Sequence, residues 1–123
     1  PVPVKVGQNK WKFIDVGEDY SIGIQSDGSI WAWGFNSQGQ LGIGTNTSVN
    51  YPIRIVNNNN WERISCGGNG ISLAIKTDGT LWAWGKNNFG QLGTGNTVYS
   101  NVPIQIGIST NWKEIALGDN FTI

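Results

Sequence analysis

One stretch of this chain occurs in two similar copies, which lie 51 positions apart. Residues 26–45, "SDGSIWAWGFNSQGQLGIGT", match residues 77–96, "TDGTLWAWGKNNFGQLGTGN". An Asp-Gly pair, a Trp-Ala-Trp-Gly segment and a Gly-Gln-Leu-Gly segment keep their order and spacing in both copies. A repeat of this length predicts an array of equivalent structural units, because similar sequences fold in similar ways.

Two further segments recur with nearly the same period. Both a Trp-led, Gly-ended segment and a Pro-led segment are present three times. The Trp-led copies are residues 11–17, 61–67 and 112–118, and the Pro-led copies are residues 2–6, 51–55 and 102–106. At 51 residues a unit, the 123 residues hold about 2.4 units.

Within a unit, apolar residues alternate with a period of two, which is typical of short β-strands. The strands predicted in the first unit are "WKFIDV", "YSIGIQ", "SIWAWG" and "YPIRIV", at residues 11–16, 20–25, 29–34 and 51–56. No window has the 3.6-residue period of a helix. The sequence therefore predicts an all-β fold with four antiparallel strands in each unit.

The third strand is apolar on both faces, since Ile30 and Ala32 point one way while Trp31 and Trp33 point the other. Sheets stacked around an axis bury both faces, so the pattern favours the blades of a β-propeller. A proline at the head of the fourth strand suits an outer edge strand, because proline removes one donor from the ladder.

The predicted domain organisation is a partial propeller over residues 1–123. Its parts are the fourth strand of a preceding blade at 1–10, whole blades at 11–60 and 61–111, and the start of another blade at 112–123. These units do not close a ring, so we expect other copies or a longer parent chain to complete it. Identical chains with two whole blades each would form a ring with an even number of blades, which favours six or eight.

The Asp-Gly pairs, Asp27-Gly28 and Asp78-Gly79, fall between the second and third strands. Asp-Gly is a preferred filling of a two-residue type I′ turn. We therefore interpret both aspartates as turn residues and not as a catalytic acid and base.

Composition argues against several classes of function. Eight Lys plus Arg balance eight Asp plus Glu, so no net charge attracts nucleic acid or an acidic membrane surface. The chain has no histidine, and Cys66 stands where the other units have Val16 and Leu117. We therefore predict a buried, unreactive cysteine and a protein that is not an enzyme and has no cofactor or metal. The Gly-rich residues 66–70 hold one residue more than the matching segment of the first unit, which indicates a local bulge. No helix follows this segment, which argues against a phosphate-binding loop.

Residues that recur are interpreted as structural, and residues that differ between units are candidates for contact with a partner. On this basis the seven tryptophans are packing residues. The aromatic candidates for contact with a protein partner are Tyr20, Phe35, Tyr51, Phe89 and Tyr99, with the loops around Asn57 and Ser109. Aromatic side chains on a rigid scaffold often anchor protein interfaces.

The Asp-Gly turn, Trp-Ala-Trp-Gly, the Gly-Gln-Leu-Gly segment and the Pro-led strand together resemble the regulator of chromosome condensation repeat, especially its bacterial relatives. The resemblance covers essentially the whole chain and implies a seven-bladed propeller that acts as a protein-binding scaffold. A more specific version is inhibition of β-lactamases by loop aromatics, as in a bacterial propeller with similar repeats. The nucleotide-exchange and chromatin role of the eukaryotic relative is disfavoured by the balanced charge and the lack of a basic tail.

The sequence is also compatible with two other functions: a carbohydrate-binding module, which needs exposed tryptophans, and an engineered propeller fragment with no natural partner. The missing initiator methionine indicates a processed, excised or engineered segment. No signal peptide or membrane-spanning apolar run is present in the sequence. Low charge and many asparagines fit a bacterial secreted or cell-surface protein better than a cytosolic one.

Overall fold

The computed structural model describes residues 10–56, 58–67, 70–86 and 99–113, and these residues form two four-stranded antiparallel sheets. The strands of the first sheet are β1 Trp11–Val16, β2 Tyr20–Gln25, β3 Ile30–Gly34 and β4 Val49–Arg54. Those of the second sheet are β5 Trp61–Cys66, β6 Ile71–Lys76, β7 Leu81–Gly85 and β8 Ser100–Gln105. In each sheet the strands pair in chain order, which confirms the predicted four-stranded blades.

The fourth strand begins earlier than the sequence pattern predicts. Gly34 pairs with Val49 and Ala32 pairs with Ile53, so residues 50–52 on β4 lie opposite a single residue of β3. Extra residues on one strand of a pair form a bulge, which bends that strand. Pro52 therefore lies in a bulge within the edge strand and not at its head.

The two sheets stack through an apolar seam. The first sheet supplies a row of buried side chains from β2 and β3, and the second sheet supplies residues of β5, β6 and β7. The buried residues of this seam are Tyr20, Ile22, Ile24, Ile30, Ala32, Leu41, Ile55, Trp61, Cys66, Ala74 and Trp84. A second cluster of buried residues lies on the other face of the second sheet, around Leu73 and Leu81. The predicted burial of both faces is thus confirmed in the second sheet.

The recurring tryptophans are packing residues, as expected. Trp33, Trp61 and Trp84 are almost completely buried, whereas Trp31 and Trp82 are half-buried. The rings of Trp61 and Trp84 meet edge to face with centroids 6.3 Å apart, an arrangement that aromatic pairs favour.

The predicted two-residue turn is wrong, although Asp27 is a turn residue. Gln25 N donates to Ser29 O at 3.0 Å and Gly28 N donates to Gln25 O at 2.9 Å, which closes a three-residue loop. Gly28 has a φ of 84°, the left-handed conformation of the last residue in such a loop. Asp27 Oδ1 accepts hydrogen bonds from Ser29 N at 3.0 Å and Ser29 Oγ at 2.6 Å. The serine oxygen in turn accepts the indole N–H of Trp31 at 2.8 Å.

The same chain of hydrogen bonds is present in the second sheet. Asp78 Oδ1 accepts from Thr80 N at 3.0 Å and Thr80 Oγ1 at 2.6 Å, and Trp82 Nε1 donates to Thr80 Oγ1 at 2.8 Å. Hydrogen bonds from the Ser29 and Thr80 side chains and backbones lower the pKa of Asp27 and Asp78. The recurring Asp-Gly pair therefore sets the loop and anchors a tryptophan on the next strand.

These lowered pKa values predict a pH dependence of stability. A depressed folded-state pKa stabilises the fold above the unfolded-state pKa, about 3.9 for aspartate, and the gain is lost as pH falls through the folded-state pKa. We expect the free energy of unfolding to fall less steeply in acid for the double variant Asp27→Asn, Asp78→Asn than for the wild type. Urea unfolding at a series of pH values measures the slope.

A second variant tests the cause of this pH dependence. Ser29→Ala with Thr80→Ala removes the two donor hydroxyl groups and leaves both carboxylates in place. This variant should also show a shallower slope. Equal slopes in the wild type and both variants would rule out the hydrogen bonds to aspartate as a source of acid sensitivity.

Three expectations concern residues outside the described ranges: the preceding fourth strand at 1–10 except Lys10, the bulge at 68–69, and the next blade beyond Lys113. Every regular element in the described ranges is a strand, so those ranges contain no helix that could cross a membrane.

Candidate protein-binding surface

Phe35 and Tyr51 line one open groove of about 640 Å³ at the end of the first sheet. Val49 and Asp19 also line this groove. Phe35 is 45% exposed and Tyr51 is 57% exposed, so the expected exposure of both candidates is confirmed. We call this site the Phe35–Tyr51 groove. It presents two aromatic side chains beside a carboxylate.

The backbone under Phe35 is fixed by the loop before β2. Phe35 N donates to Asp19 O at 2.8 Å, which extends the pairing of β2 and β3 by one residue. Gly34 has a φ of 112°, and a Cβ at this position would lie 2.7 Å from both Asp19 O and Tyr20 Cα. Only glycine permits this close approach. The approach brings the backbone of Asp19 to that of Phe35, and both residues line the groove.

Asn36 fixes the other side of Phe35. Its side chain is fully buried, and its Nδ2 donates to Thr45 O at 2.8 Å and Thr47 O at 3.0 Å. Its Oδ1 accepts from Leu41 N at 3.0 Å, and its backbone N donates to Ser48 Oγ at 3.0 Å. One amide thus holds the loop between β3 and β4.

Sequence reasoning did not identify this role of Asn36, although a signal was present. The asparagine recurs 51 positions later as Asn87, in the same place after Trp-Ala-Trp-Gly. A polar residue that recurs at a fixed place in a loop is typical of a side chain that hydrogen-bonds to the loop backbone.

Tyr51 lies in the bulge of β4, where the edge strand bends away from the ladder. The equivalent residue on β8 is Val102, which is 46% exposed at a matching irregularity. Phe35 is likewise replaced by Lys86 in the second unit. Both units have these two positions, but only the first unit has aromatic residues at both of them.

Acidic side chains lie beside the groove. Glu18 and Asp19 are exposed, and both line a small cavity of about 180 Å³ that also contacts Phe35 and Lys86. The corresponding segment of the second unit, "GGNG", has no acidic residue. The negative charge next to the aromatic residues is therefore specific to the first unit.

Tyr20 was expected to be exposed, and this expectation is wrong. It is buried in the seam, where its hydroxyl donates to Ile71 O and accepts from Ser72 Oγ at 3.2 Å. Burial raises the pKa of the Tyr20 phenol well above its ordinary value. The alternation of Tyr20, Ile22 and Ile24 along β2 was the sequence signal for this position.

The remaining candidates are separate from this groove. Tyr99 is exposed just before β8 and is not one of the residues that line the groove. Ser109 is exposed in the loop after β8, and Phe89 and Asn57 lie outside the described residues. Contact between any of these residues and a partner stays a prediction.

Cys66 is buried at 9% exposure, as predicted. Its backbone N donates to Asp15 Oδ2 at 2.7 Å, and its Sγ lies 3.7 Å from Asp15 O. Burial, followed by the nearby Asp15 carboxylate, raises the pKa of the thiol. A neutral buried thiol is a poor nucleophile. Across the described ranges, no three His, Cys, Asp or Glu side chains are grouped closely enough to hold a metal ion.

Four-stranded antiparallel sheets that recur in sequence and stack face to face define a repeat protein built of β-propeller blades. The chain belongs to the regulator of chromosome condensation (RCC1) repeat family, whose sequence profile matches residues 27–74 and 78–123. A second profile of the same repeat matches residues 11–40 and 61–91. The first match begins in the loop before β3 and ends in β6, so one sequence repeat contributes to two sheets.

Two curated relatives illustrate the family. Over 110 residues the chain is 40% identical to Protein RCC2 of Mus musculus, which covers 85% of this chain and 21% of that protein. Over 85 residues it is 38% identical to the probable E3 ubiquitin-protein ligase HERC6 of Homo sapiens, covering 67% of this chain and 8% of that protein. The chain thus spans a small part of both relatives.

Two solved structures share the fold. Human WBSCR16 superposes with a TM-score of 0.83 at 22% identity, covering 94% of this chain and 30% of that structure. Prp20p of Saccharomyces cerevisiae superposes with a TM-score of 0.78 at 20% identity, covering 87% of this chain and 28% of that structure. The predicted blades and the resemblance to the RCC1 repeat are confirmed.

Proposed function

We propose that this chain is the protein-binding part of a propeller and that it contacts its partner through the Phe35–Tyr51 groove. The observation that carries the proposal is the pair of exposed aromatic side chains on a fixed backbone, at positions where the second unit has lysine and valine. Rigid aromatic anchors lose little side-chain entropy on binding and dominate many protein interfaces.

The relatives support a role in protein binding. The reported structure of Prp20p is described together with its binding to Gsp1p and histones, which are protein partners. In this chain the exposed Glu18 and Asp19 beside the groove suit a partner segment that carries Lys or Arg next to apolar residues. The balanced charge of eight basic and eight acidic residues does not support binding to nucleic acid.

We further propose that the chain is not an enzyme. The chain has no histidine, and its only cysteine is buried with a raised pKa. All seven tryptophans are buried or half-buried, which argues against a sugar-binding platform. Inhibition of a β-lactamase stays a specific version of the protein-binding function, since it needs exposed loop aromatics such as Phe35.

Peptide selection tests the groove. The wild-type chain is used to enrich a random-peptide display library, and the affinities of enriched peptides are measured against Phe35→Ala and Tyr51→Ala. We expect each variant to bind about thirtyfold more weakly or worse, because truncating an interface anchor costs about 2 kcal/mol or more. Enriched peptides should pair basic with apolar residues, and their binding should weaken in high salt.

The matched control is Val102→Ala, which truncates the equivalent exposed residue of β8 and should leave peptide affinity unchanged. Purified β-lactamase serves as a defined protein probe for the more specific version. Equal affinities for the wild type, Phe35→Ala and Tyr51→Ala would show that the groove is not the binding site.

We also propose that copies of this chain associate with one another. The face of the first sheet that points away from the second sheet exposes Ile14 and, at 63%, Val16. The equivalent residue of the second sheet, Cys66, is 9% exposed because the first sheet covers it. An exposed apolar blade face favours association.

A further inference from the structure

The seam between the two sheets contains a specific recognition element besides its apolar contacts. Trp84 Nε1 and Ser72 Oγ both donate to the backbone carbonyl of Gln40, at 2.9 Å and 2.8 Å. Gln40 belongs to the Gly-Gln-Leu-Gly segment of the first unit, residues 39–42. One sheet therefore binds a loop of the neighbouring unit through a pair of donors on β6 and β7.

The loop fits this place closely. Leu41 is fully buried in the seam. Gly42 has a φ of 73°, and a Cβ there would lie 2.7 Å from Trp84 Nε1. The glycine lets the backbone reach the indole, and the leucine fills the apolar space beside it. Residues 39–42 thus act as a ligand of the second sheet: the Gln40 carbonyl accepts from the donor pair, and Leu41 and Gly42 fit the space around it.

The first sheet has the same donor pair on its outward face. Ser21 and Trp33 stand 51 positions before Ser72 and Trp84, and they pair with each other on β2 and β3. Trp33 Nε1 is buried and has no hydrogen-bond partner among the described residues. A buried donor without a partner is unfavourable, so a carbonyl placed there would stabilise the protein.

A cavity of about 370 Å³ adjoins this donor pair. Its lining includes Ser21 and Trp33 together with the exposed Ile14 and Val16. Trp33 packs against Trp11, with ring centroids 5.6 Å apart, so its ring is held in place. The cavity thus has an apolar wall and is lined by a tryptophan whose buried indole N–H lacks an acceptor among the described residues.

We propose that the Ser21–Trp33 pair of one chain binds the Gly-Gln-Leu-Gly segment of a second copy, residues 90–93. This segment repeats residues 39–42, which occupy the equivalent place inside the chain. The inference rests on the proposed self-association and assigns its contact. Because the two surfaces differ, the contact is head to tail and adds copies until a ring or filament forms.

Complementation between two variants tests the proposal. Val16→Asp places a charge in the receiving face, where the side chain is exposed in the single chain. Leu92→Asp places a charge in the inserted segment. Each variant alone should associate at least tenfold more weakly than the wild-type chain in sedimentation velocity. An equimolar mixture should form a one-to-one heterodimer that grows no further, since each variant keeps one intact surface.

Three further measurements separate the possible failures. Val102→Asp, an exposed charge on β8, should associate as the wild type does. Trp33→Phe removes the donor and should weaken association, whereas Trp84→Phe should lower stability and leave association unchanged. A wild-type chain that stays monomeric overturns both the self-association and its contact. A wild-type chain that associates while Val16→Asp associates equally well, or a mixture that forms no heterodimer, overturns the contact alone.

Discussion

Replacing Trp84 with alanine should lower the free energy of unfolding by about 3–5 kcal/mol, the usual loss for a buried tryptophan or phenylalanine. The side chain is fully buried between the sheets and donates its indole N–H to Gln40 O at 2.9 Å. The variant removes one of the two fully buried tryptophans of the seam and leaves a cavity. This loss is a large part of the free energy of unfolding of an ordinary domain, which is about 5–15 kcal/mol.

The variant should also change how the protein unfolds. Each blade contacts mainly its neighbours, so weakening the seam should reduce the coupling between the two sheets. We expect the urea transition, followed by circular dichroism, to broaden or to separate into two steps. Trp82→Ala is the matched control, since Trp82 lies on the same strand and also packs against the seam, but it is only half-buried and donates to Thr80 of its own unit. An equal loss in both variants, with one steep transition, would show that the seam does not depend on Trp84.

The strands and the packing role of the tryptophans could be predicted because both follow from local pattern and repetition. Alternation along "WKFIDV" and "YSIGIQ" gave β1 and β2 with their observed ends. Recurrence 51 positions apart indicated that Trp33 and Trp84 serve the fold, and both are buried. Such features depend on contacts that every unit makes in the same way.

Other features depended on contacts between units, which local pattern does not encode. Tyr20 differs from its counterpart Ile71, so it resembled a variable surface residue, yet its hydroxyl crosses the seam to Ile71 O. The bulge of β4 follows from how Gly34 and Ala32 pair with the edge strand, and the proline-led pattern did not specify that pairing. The same limit applies to the candidate site: exposure of Phe35 and Tyr51 could be predicted, but not that both line one groove.

The Phe35–Tyr51 groove depends on side chains that are not part of it. Gly34 allows the loop before β2 to approach, and Asn36 holds the loop between β3 and β4. Both residues recur in the second unit, as Gly85 and Asn87, whereas Phe35 is replaced by Lys86. The repeat thus supplies a constant frame at residues 34 and 36, and the residue between them varies between units. This division explains how one fold can present different surfaces without loss of its packing.

Replacing Asn36 with leucine should lower the free energy of unfolding by about 2–4 kcal/mol, because several backbone groups lose their partners at once. Leucine has a similar volume, so the loss does not come from a cavity. Leu41 N, in the buried seam, would lose its acceptor, and Thr45 O and Thr47 O would lose their donors. Urea unfolding measures the loss, and Asn50→Leu on the exposed part of β4 is the matched control, with an expected change within about 0.5 kcal/mol.

The variant Asn36→Asp separates hydrogen bonding from volume. It replaces the donating amide with a carboxylate that faces the two carbonyl oxygens of Thr45 and Thr47. Burial and these oxygens disfavour the charged form, so the introduced carboxyl should have a pKa above its unfolded value. The stability loss should therefore be small in acid, where the protonated carboxyl can donate, and should grow as pH rises above about 3.9. The loss in Asn36→Leu should not change with pH. A pH-independent loss in Asn36→Asp would show that the side chain at position 36 meets water and not the two carbonyls, and that another contact holds the loop beside Phe35.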